Sequence, residues 1–249
     1  MSNVPQSAAV LVIGNEILSG RTRDANVQVI GSGLAEIGIR LREVRVVEDD
    51  VDAIVTALNA LRSRYDWIFT TGGIGPTHDD ITTDCIATAF GVAAPRHPEA
   101  ERRLRAYYGD SETTEVRLRM ARIPDGATLI DNPVSAAPGF RIGNVHVLPG
   151  VPRILQAMLP GVLAALPGGT PIVSRTVTAW IRESDIANEL AAVQMRFPAL
   201  DVGSYPFIRD ERFGTSLVVR GPDATGVAAA ADEIAAFLEA RGAPFEPPA

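Results

Sequence analysis

Residues 70–84 read TTGGIGPTHDDITTD, and this stretch decides the fold class. Three glycines and a proline follow the apolar run Trp67–Phe69 and precede a second apolar pattern that begins at Ile81. Glycine turns between a strand and a helix are typical of ligand-binding loops, because glycine lets the backbone approach a ligand closely. The spacing matches neither the G-x-G-x-x-G dinucleotide motif nor a P-loop, which carries a lysine after its glycines.

The segments around this turn alternate between strand and helix patterns. Predicted strands are Ala8–Ile13, Leu41–Val47 and Trp67–Thr70, and each is followed by apolar residues at helical spacing. We expect N-caps at Asp24 and at Asp49 or Asp50. Strands and helices that alternate in this way predict an α/β fold, with a mostly parallel sheet between helices.

The remaining sequence completes this domain and adds a second one. Ala127–Ile130 and the hairpin Phe140–Leu148 are further predicted strands, and a helix follows to about Leu166. The tract Pro167–Thr170 is a predicted linker. Beyond it the pattern changes to a small βαββα unit, so we predict domains at 1–168 and 169–249.

Composition restricts the class of function. The net charge is -7 and the pI is near 5.0, which argues against a nucleic-acid partner. A single cysteine excludes an intramolecular disulfide, and three dispersed histidines argue against a histidine-based metal site. The first residues resemble no signal peptide and no apolar run could span a bilayer, so we expect a cytoplasmic protein without a membrane partner.

Two aspartates in the glycine turn need an explanation. Parallel strands bring their following loops to one sheet edge, so Asp79 and Asp80 should lie near Glu16 and near Asp49 or Asp50. Helix capping would account for one of the two turn aspartates but not for both. A hard cation such as magnesium, bridging to a phosphate, would satisfy several carboxylates. A pterin with ring N–H donors is the second interpretation.

Several of these stretches together resemble a known family. IGNEILSG, VVEDDVDAI, TTGGIGPTHDDITTD, NPVSAAPGF and LPGVP are similar, in order and spacing, to the molybdopterin-binding (MoaB/MogA-like) domain. The similarity is greatest to the N-terminal domain of competence/damage-inducible protein A (CinA) and to the corresponding domain of FAD synthases. It covers about residues 8–165, and the βαββα unit fits the CinA-type extension.

The resemblance implies a set of site residues. Asp80, Asp79 and Glu16 are the implied catalytic residues, and Asp80 with Asp49 or Asp50 the implied ligands of a divalent metal. The implied cofactor-binding residues are Gly72, Gly73, Gly75, Thr77, Thr82, Ser135, Pro149 and Gly150. Ser135 and Ala136 stand where similar sequences carry a glycine and a hydroxyl residue, so the contacts of that loop are expected to differ.

The resemblance also implies two functions between which the sequence does not decide. One is metal-dependent hydrolysis of the pyrophosphate bond of a nucleotide such as ADP-ribose or FAD. The alternative is binding of molybdopterin or another pterin without turnover, in molybdenum cofactor biosynthesis. Homo-oligomers are common among similar proteins, so we expect one here. The chain ends at residue 249, so we expect neither deamidase activity nor FAD synthesis from it.

Overall fold

Six strands form the central sheet of the N-terminal unit in a computed structural model, which describes residues 6–109 and 111–248. They are β1 (Ser7–Ile13), β2 (Arg40–Val47), β3 (Trp67–Thr71), β4 (Thr128–Ile130), β5 (Gly139–Ile142) and β6 (Val145–Leu148). Their order across the sheet is β2-β1-β3-β6-β5-β4. Pairing is parallel from β2 to β6, whereas β5 runs antiparallel to both of its neighbours. The predicted, mostly parallel α/β sheet is confirmed.

Helices cover both faces of this sheet. They are α1 (Asn15–Leu18), α2 (Asn26–Glu36), α3 (Val51–Arg62), α4 (Thr82–Phe90), α5 (Pro98–Tyr108), α6 (Glu115–Leu118) and α7 (Pro152–Ala164). One core cluster packs α3 and α4 on the first face, and a second packs α2 and α7 on the other. The residues of β1 alternate between the two clusters, because successive side chains of a strand point to opposite faces.

Of the two predicted aspartate N-caps, Asp50 is confirmed, whereas the N-cap of α2 is Ala25 and not the predicted Asp24. Asp50 is the N-cap of α3, where its carboxylate accepts a hydrogen bond of 2.9 Å from the amide of Ala53. Asp24 accepts one of 2.9 Å from Val27, although α2 begins only at Asn26. Helix α4 starts at Thr82 without a side-chain cap, so neither turn aspartate has the capping role considered for it.

The C-terminal unit comprises Thr170–Ala249 and has a separate antiparallel sheet. Its elements are β7 (Val173–Ala179), α8 (Ala187–Arg196), β8 (Asp201–Arg209), β9 (Arg212–Gly221), α9 (Ala224–Ala240) and β10 (Phe245–Glu246). Strands β8 and β9 meet in a two-residue turn at Asp210 and Glu211, both with positive φ. No helix of the described residues is long and apolar enough to cross a membrane.

A histidine interrupts the otherwise apolar strand β6. His146 is only 2% exposed, and its ring stacks on Phe69 with the centroids 5.1 Å apart. Its Nδ1 has no hydrogen-bond partner among the described residues. Burial, and secondarily the nearby positive charge of Arg141, lowers the pKa of His146 to about 4.

We expect His146 to make the folded state sensitive to mild acid. In the unfolded chain this imidazole binds a proton near its ordinary pKa of about 6.5, whereas in the folded chain it does so only near pH 4. Stability should therefore fall as pH drops from about 6.5 to about 4, by at most about 3 kcal/mol. Urea unfolding at several pH values measures this, and His146→Phe should remove that part of the slope. Identical slopes in the two proteins would contradict the assignment.

Candidate functional site

The carboxyl ends of β2, β1, β3 and β6 lie side by side, so the loops that follow them share one sheet edge. The first and second loops are joined directly, because Asp49 accepts a hydrogen bond of 2.9 Å from the amide of Asn15. The amide of Gly14 also donates to the carbonyl oxygen of Val47, at 3.1 Å. Asp49 thus faces the first loop while Asp50 caps α3, a distinction that the sequence left open.

Of the described glycines, Gly72 has the least room for a side chain. It has a φ of +103°, and a Cβ there would lie 2.1 Å from the carbonyl oxygen of Ile13 at the end of β1. The amide of Gly72 donates to the carbonyl oxygen of Leu148 at the end of β6, at 3.3 Å. A Cβ at Gly150 would lie 3.2 Å from Cα of Gly72. Glycine at position 72 therefore lets the ends of three strands meet.

Thr82 holds the turn in place with two hydrogen bonds. Its hydroxyl donates to the carbonyl oxygen of Gly72 at 2.9 Å, and its amide donates to that of Gly73 at 3.0 Å. A Cβ at Gly73, whose φ is +65°, would lie 2.2 Å from this hydroxyl. Thr82 is fully buried, so the structure places it as a support of the turn, out of reach of solvent.

Three successive amides on this turn remain unused. Within the described residues, the N–H groups of Gly73, Ile74 and Gly75 donate to no protein acceptor. All three residues are partly exposed. Consecutive free amides next to a left-handed glycine form a concave site of positive partial charge, which suits an anionic oxygen.

The carboxylates of both turn aspartates contact the same hydroxyl group, that of Thr77. The Oγ1 atom of Thr77 is 2.6 Å from Oδ1 of Asp79 and 2.5 Å from Oδ2 of Asp80, which also accepts the Thr77 amide at 2.8 Å. A hydroxyl has one hydrogen and can donate to only one carboxylate at a time. The Thr77 hydrogen bond lowers the pKa of Asp79, and two carboxylates that contact one hydroxyl group favour a cation here.

Glu16 is the remaining predicted catalytic carboxylate. It is exposed on α1, and its carboxylate folds back over Gly14, 2.5 Å from where a Cβ would stand. Among the described residues it has no hydrogen-bond partner. The structure therefore places Glu16 at the predicted edge, after β1, with an exposed carboxylate that no described residue binds.

A preformed metal site is absent from the described part of the chain. No group of three or more histidine, cysteine, aspartate or glutamate side chains there could hold a metal ion. The carboxylates of Asp49 and Asp50 are each engaged by a backbone amide. Asp79 and Asp80 contact the same Thr77 hydroxyl, so this pair fits an ion that takes most of its ligands from elsewhere.

The loop after β4 is held by its own asparagine. Asn132 donates to the Ser135 hydroxyl and to the Ala137 carbonyl, each at 2.8 Å, and accepts from the amides of Val134 and Ser135 at 3.0 Å. The Ser135 hydroxyl thus accepts within the loop and keeps its own hydrogen for another partner. A cavity of about 360 Å³ lies between this loop and α5.

Sequence reasoning also missed Asn26. This first residue of α2 is 3% exposed and donates to the carbonyl oxygen of Gly150 at 2.8 Å. Through Gly150 it supports the Pro149–Gly150 segment against the glycine turn. Its proximity in sequence to Asp24 gave no signal of this, because the contact spans 124 residues.

Each of the two units matches a known protein family. The family described as "Probable molybdopterin binding domain" matches residues 9–168, and the "FAD synthase, middle domain" family matches residues 171–244. The two matched ranges lie within the predicted domains 1–168 and 169–249.

Individual relatives agree with these matches. A protein of Aeropyrum pernix is 35% identical over 210 residues, covering 80% of this chain and 78% of its own. A CinA-like protein of Syntrophus aciditrophicus is 37% identical over 211 residues, which is 79% of this chain and 50% of that protein. The crystal structure of CinA from Thermoplasma acidophilum superimposes with a TM-score of 0.60 at 38% identity, covering 65% of this chain and 97% of that one.

The contact at Gly72 predicts a large effect of one added methyl group. Gly72→Ala should lower the free energy of unfolding by about 3 kcal/mol, because the Cβ meets a backbone oxygen and the residue needs positive φ. Gly20→Ala is the matched control, since Gly20 has a φ of +71° with no atom near its Cβ position, and should cost about 1 kcal/mol. Urea unfolding compares them, and equal losses would show that the contact with Ile13 carries no weight.

Proposed function

We propose, since the chain belongs to the family described as "Probable molybdopterin binding domain", that its N-terminal unit binds a nucleotide of the ADP-ribose or FAD type and hydrolyses its pyrophosphate bond. The observation that carries this proposal is the row of unused amides at Gly73, Ile74 and Gly75 beside the Asp79–Asp80 pair. Free amides suit phosphate oxygens, and paired carboxylates suit a cation that accompanies a diphosphate.

The second unit supports the choice of a nucleotide. Residues 171–244 match the family of FAD synthase middle domains, so both units of this chain have counterparts in proteins named for FAD or for molybdopterin. Both of those molecules combine a heterocycle with phosphate. A substrate that carries a diphosphate uses the amide row and the carboxylate pair together.

A divalent cation would be held by Asp79 and Asp80. Magnesium is often bound by one or two carboxylates, with substrate phosphates and water completing its shell, and this pair provides that number. When bound, the ion would supply charge neutralisation and polarisation of a phosphoryl oxygen. Asp49 and Asp50, considered as ligands from the sequence, are left out because neither forms, within the described residues, a group of three with Asp79 and Asp80 that could hold an ion.

The protein groups have separate tasks in the proposed reaction. The amides of residues 73–75 hold phosphate oxygens and stabilise the negative charge that develops on them during attack. Glu16, which has no partner among the described residues, accepts the proton of the attacking water. Water oxygen bonds to phosphorus as the bond to the bridging oxygen breaks, so ADP-ribose yields AMP and ribose 5-phosphate.

Hydrolysis is tested by following AMP release. Purified protein with Mg²⁺ should release AMP from ADP-ribose or FAD, and Asp80→Asn should lower kcat/KM at least about 100-fold, which is about 3 kcal/mol of transition-state stabilisation. Asp52→Asn is the control, because Asp52 is also an acidic residue near a helix start but lies on α3. It should leave the rate within about twofold.

The alternative is binding without turnover. No AMP above a metal-free blank, together with ADP-ribose or pterin binding by calorimetry, would replace the hydrolase with a binding module. Unchanged activity in Asp80→Asn would instead show that the reaction occurs away from the glycine turn. Binding that Gly75→Ala leaves unaffected would argue against the amide row as the phosphate site.

A further inference from the structure

A second cavity lies on the α7 face of the sheet, and none of its lining residues belongs to the glycine turn. It has a volume of about 270 Å³ and lies between β4–β6 and the C-terminal half of α7. Arg141 and His146 line it on the sheet side, and Met158, Gly161 and Val162 on the helix side. It thus combines two nitrogen-bearing side chains with an apolar wall.

Sheet register brings the two polar groups together. Arg141 and His146 are direct partners in the antiparallel pairing of β5 with β6, so their side chains emerge on the same face. Trp67 stands beside both, with its ring centroid 5.7 Å from the His146 ring and 5.4 Å from the guanidinium carbon of Arg141. The cluster is anchored in the sheet and needs no loop movement to form.

One ring nitrogen of His146 is buried at this wall of the cavity. Its Nδ1 is buried without a hydrogen bond among the described residues, and buried polar atoms are normally satisfied. Nδ1 of a neutral imidazole is a donor in one tautomer and an acceptor in the other. A hydroxyl group can serve as the partner of either tautomer, because it both donates and accepts.

Arg141 supplies a positive charge without a counterion. Its Nε donates to the carbonyl oxygen of Gly143 at 3.0 Å, and within the described residues no carboxylate pairs with it. Asp131, at the cavity rim, is already paired with Arg103 at 2.6 Å. The cavity therefore has an uncompensated cation that a ligand carboxylate would pair with.

Helix α7 leaves room opposite these groups. Gly161 follows Pro160 inside the helix, and a Cβ at Gly161 would meet no atom within 4 Å. Glycine and proline are the two poorest helix formers, so their presence inside α7 is not explained by helix stability, and Gly161 leaves this part of the cavity lining without a side chain. Met158 lies on the same wall, and its thioether contacts aromatic rings favourably.

We propose that this cavity is a binding site for a small hydroxylated aromatic carboxylic acid. The carboxylate pairs with Arg141, the hydroxyl group bonds to the imidazole of His146, and the ring packs against Met158 and Val162. This ligand class goes beyond the nucleotide proposed for the glycine turn, and the two sites share no residue.

The site is tested with 4-hydroxybenzoate as the probe and Trp67 as the reporter. The chain has two tryptophans, so Trp180→Phe leaves Trp67 as the only one, and its fluorescence should change saturably on titration. The neutral analogue 4-hydroxybenzamide should bind at least tenfold more weakly, because it cannot pair with Arg141. Benzoate should also bind more weakly, and His146→Phe should abolish the difference between benzoate and 4-hydroxybenzoate.

Paired variants of Gly161 distinguish a ligand site from a packing defect. In the Trp180→Phe background, Gly161→Leu fills the cavity and should weaken binding at least tenfold, whereas Gly161→Ala should retain most of it. Thermal unfolding should show both variants at least as stable as the parent, so lost binding cannot be assigned to misfolding. The absence of a saturable change with any probe would overturn the proposal, as would equal binding by the two Gly161 variants.

Discussion

The contact between Gly72 and the carbonyl oxygen of Ile13 is the constraint on which the candidate site depends. It exists only because position 72 has no Cβ and adopts positive φ. Once β3 ends in this way, its turn lies across the end of β1 and reaches the end of β6 through Leu148. Thr82 then fixes the turn with two hydrogen bonds, so the amides that follow Gly72 are presented on a rigid backbone.

The groups around this turn favour ligands of opposite charge. A row of free amides attracts an anion, whereas Asp79 and Asp80 beside it repel one. Thr77 relieves part of the repulsion, since its hydroxyl and amide both donate to carboxylate oxygens. One hydroxyl hydrogen cannot serve both aspartates, so the arrangement is most stable with a positive charge nearby. A phosphate that arrives with a cation meets both requirements, which neither component meets alone.

The sequence predicts those parts of this arrangement that depend on local pattern. Continuous apolar runs, as in β1, and the glycine turn gave the sheet, its parallel direction and the edge at which the loops gather. It could not separate Asp49 from Asp50, because one caps α3 and the other holds the first loop, and both roles fit the same local pattern. The sequence also could not predict that Thr82, unlike Thr77, is fully buried, because its burial depends on tertiary packing.

Strand β6 has the burial expected of a central strand but contains one polar residue, His146. It joins the parallel half of the sheet to the antiparallel half, and all four of its residues are buried, as expected for a central strand. Such a strand is expected to be continuously apolar, and only His146 departs from this. A buried ring nitrogen without a hydrogen bond weakens the fold unless something compensates for it, and departures of this kind tend to mark functional positions. Arg141 and Gly161 line the same cavity as His146. The register of the β5–β6 hairpin places Arg141 there and the packing of α7 places Gly161 there, so local sequence pattern could not predict either neighbour.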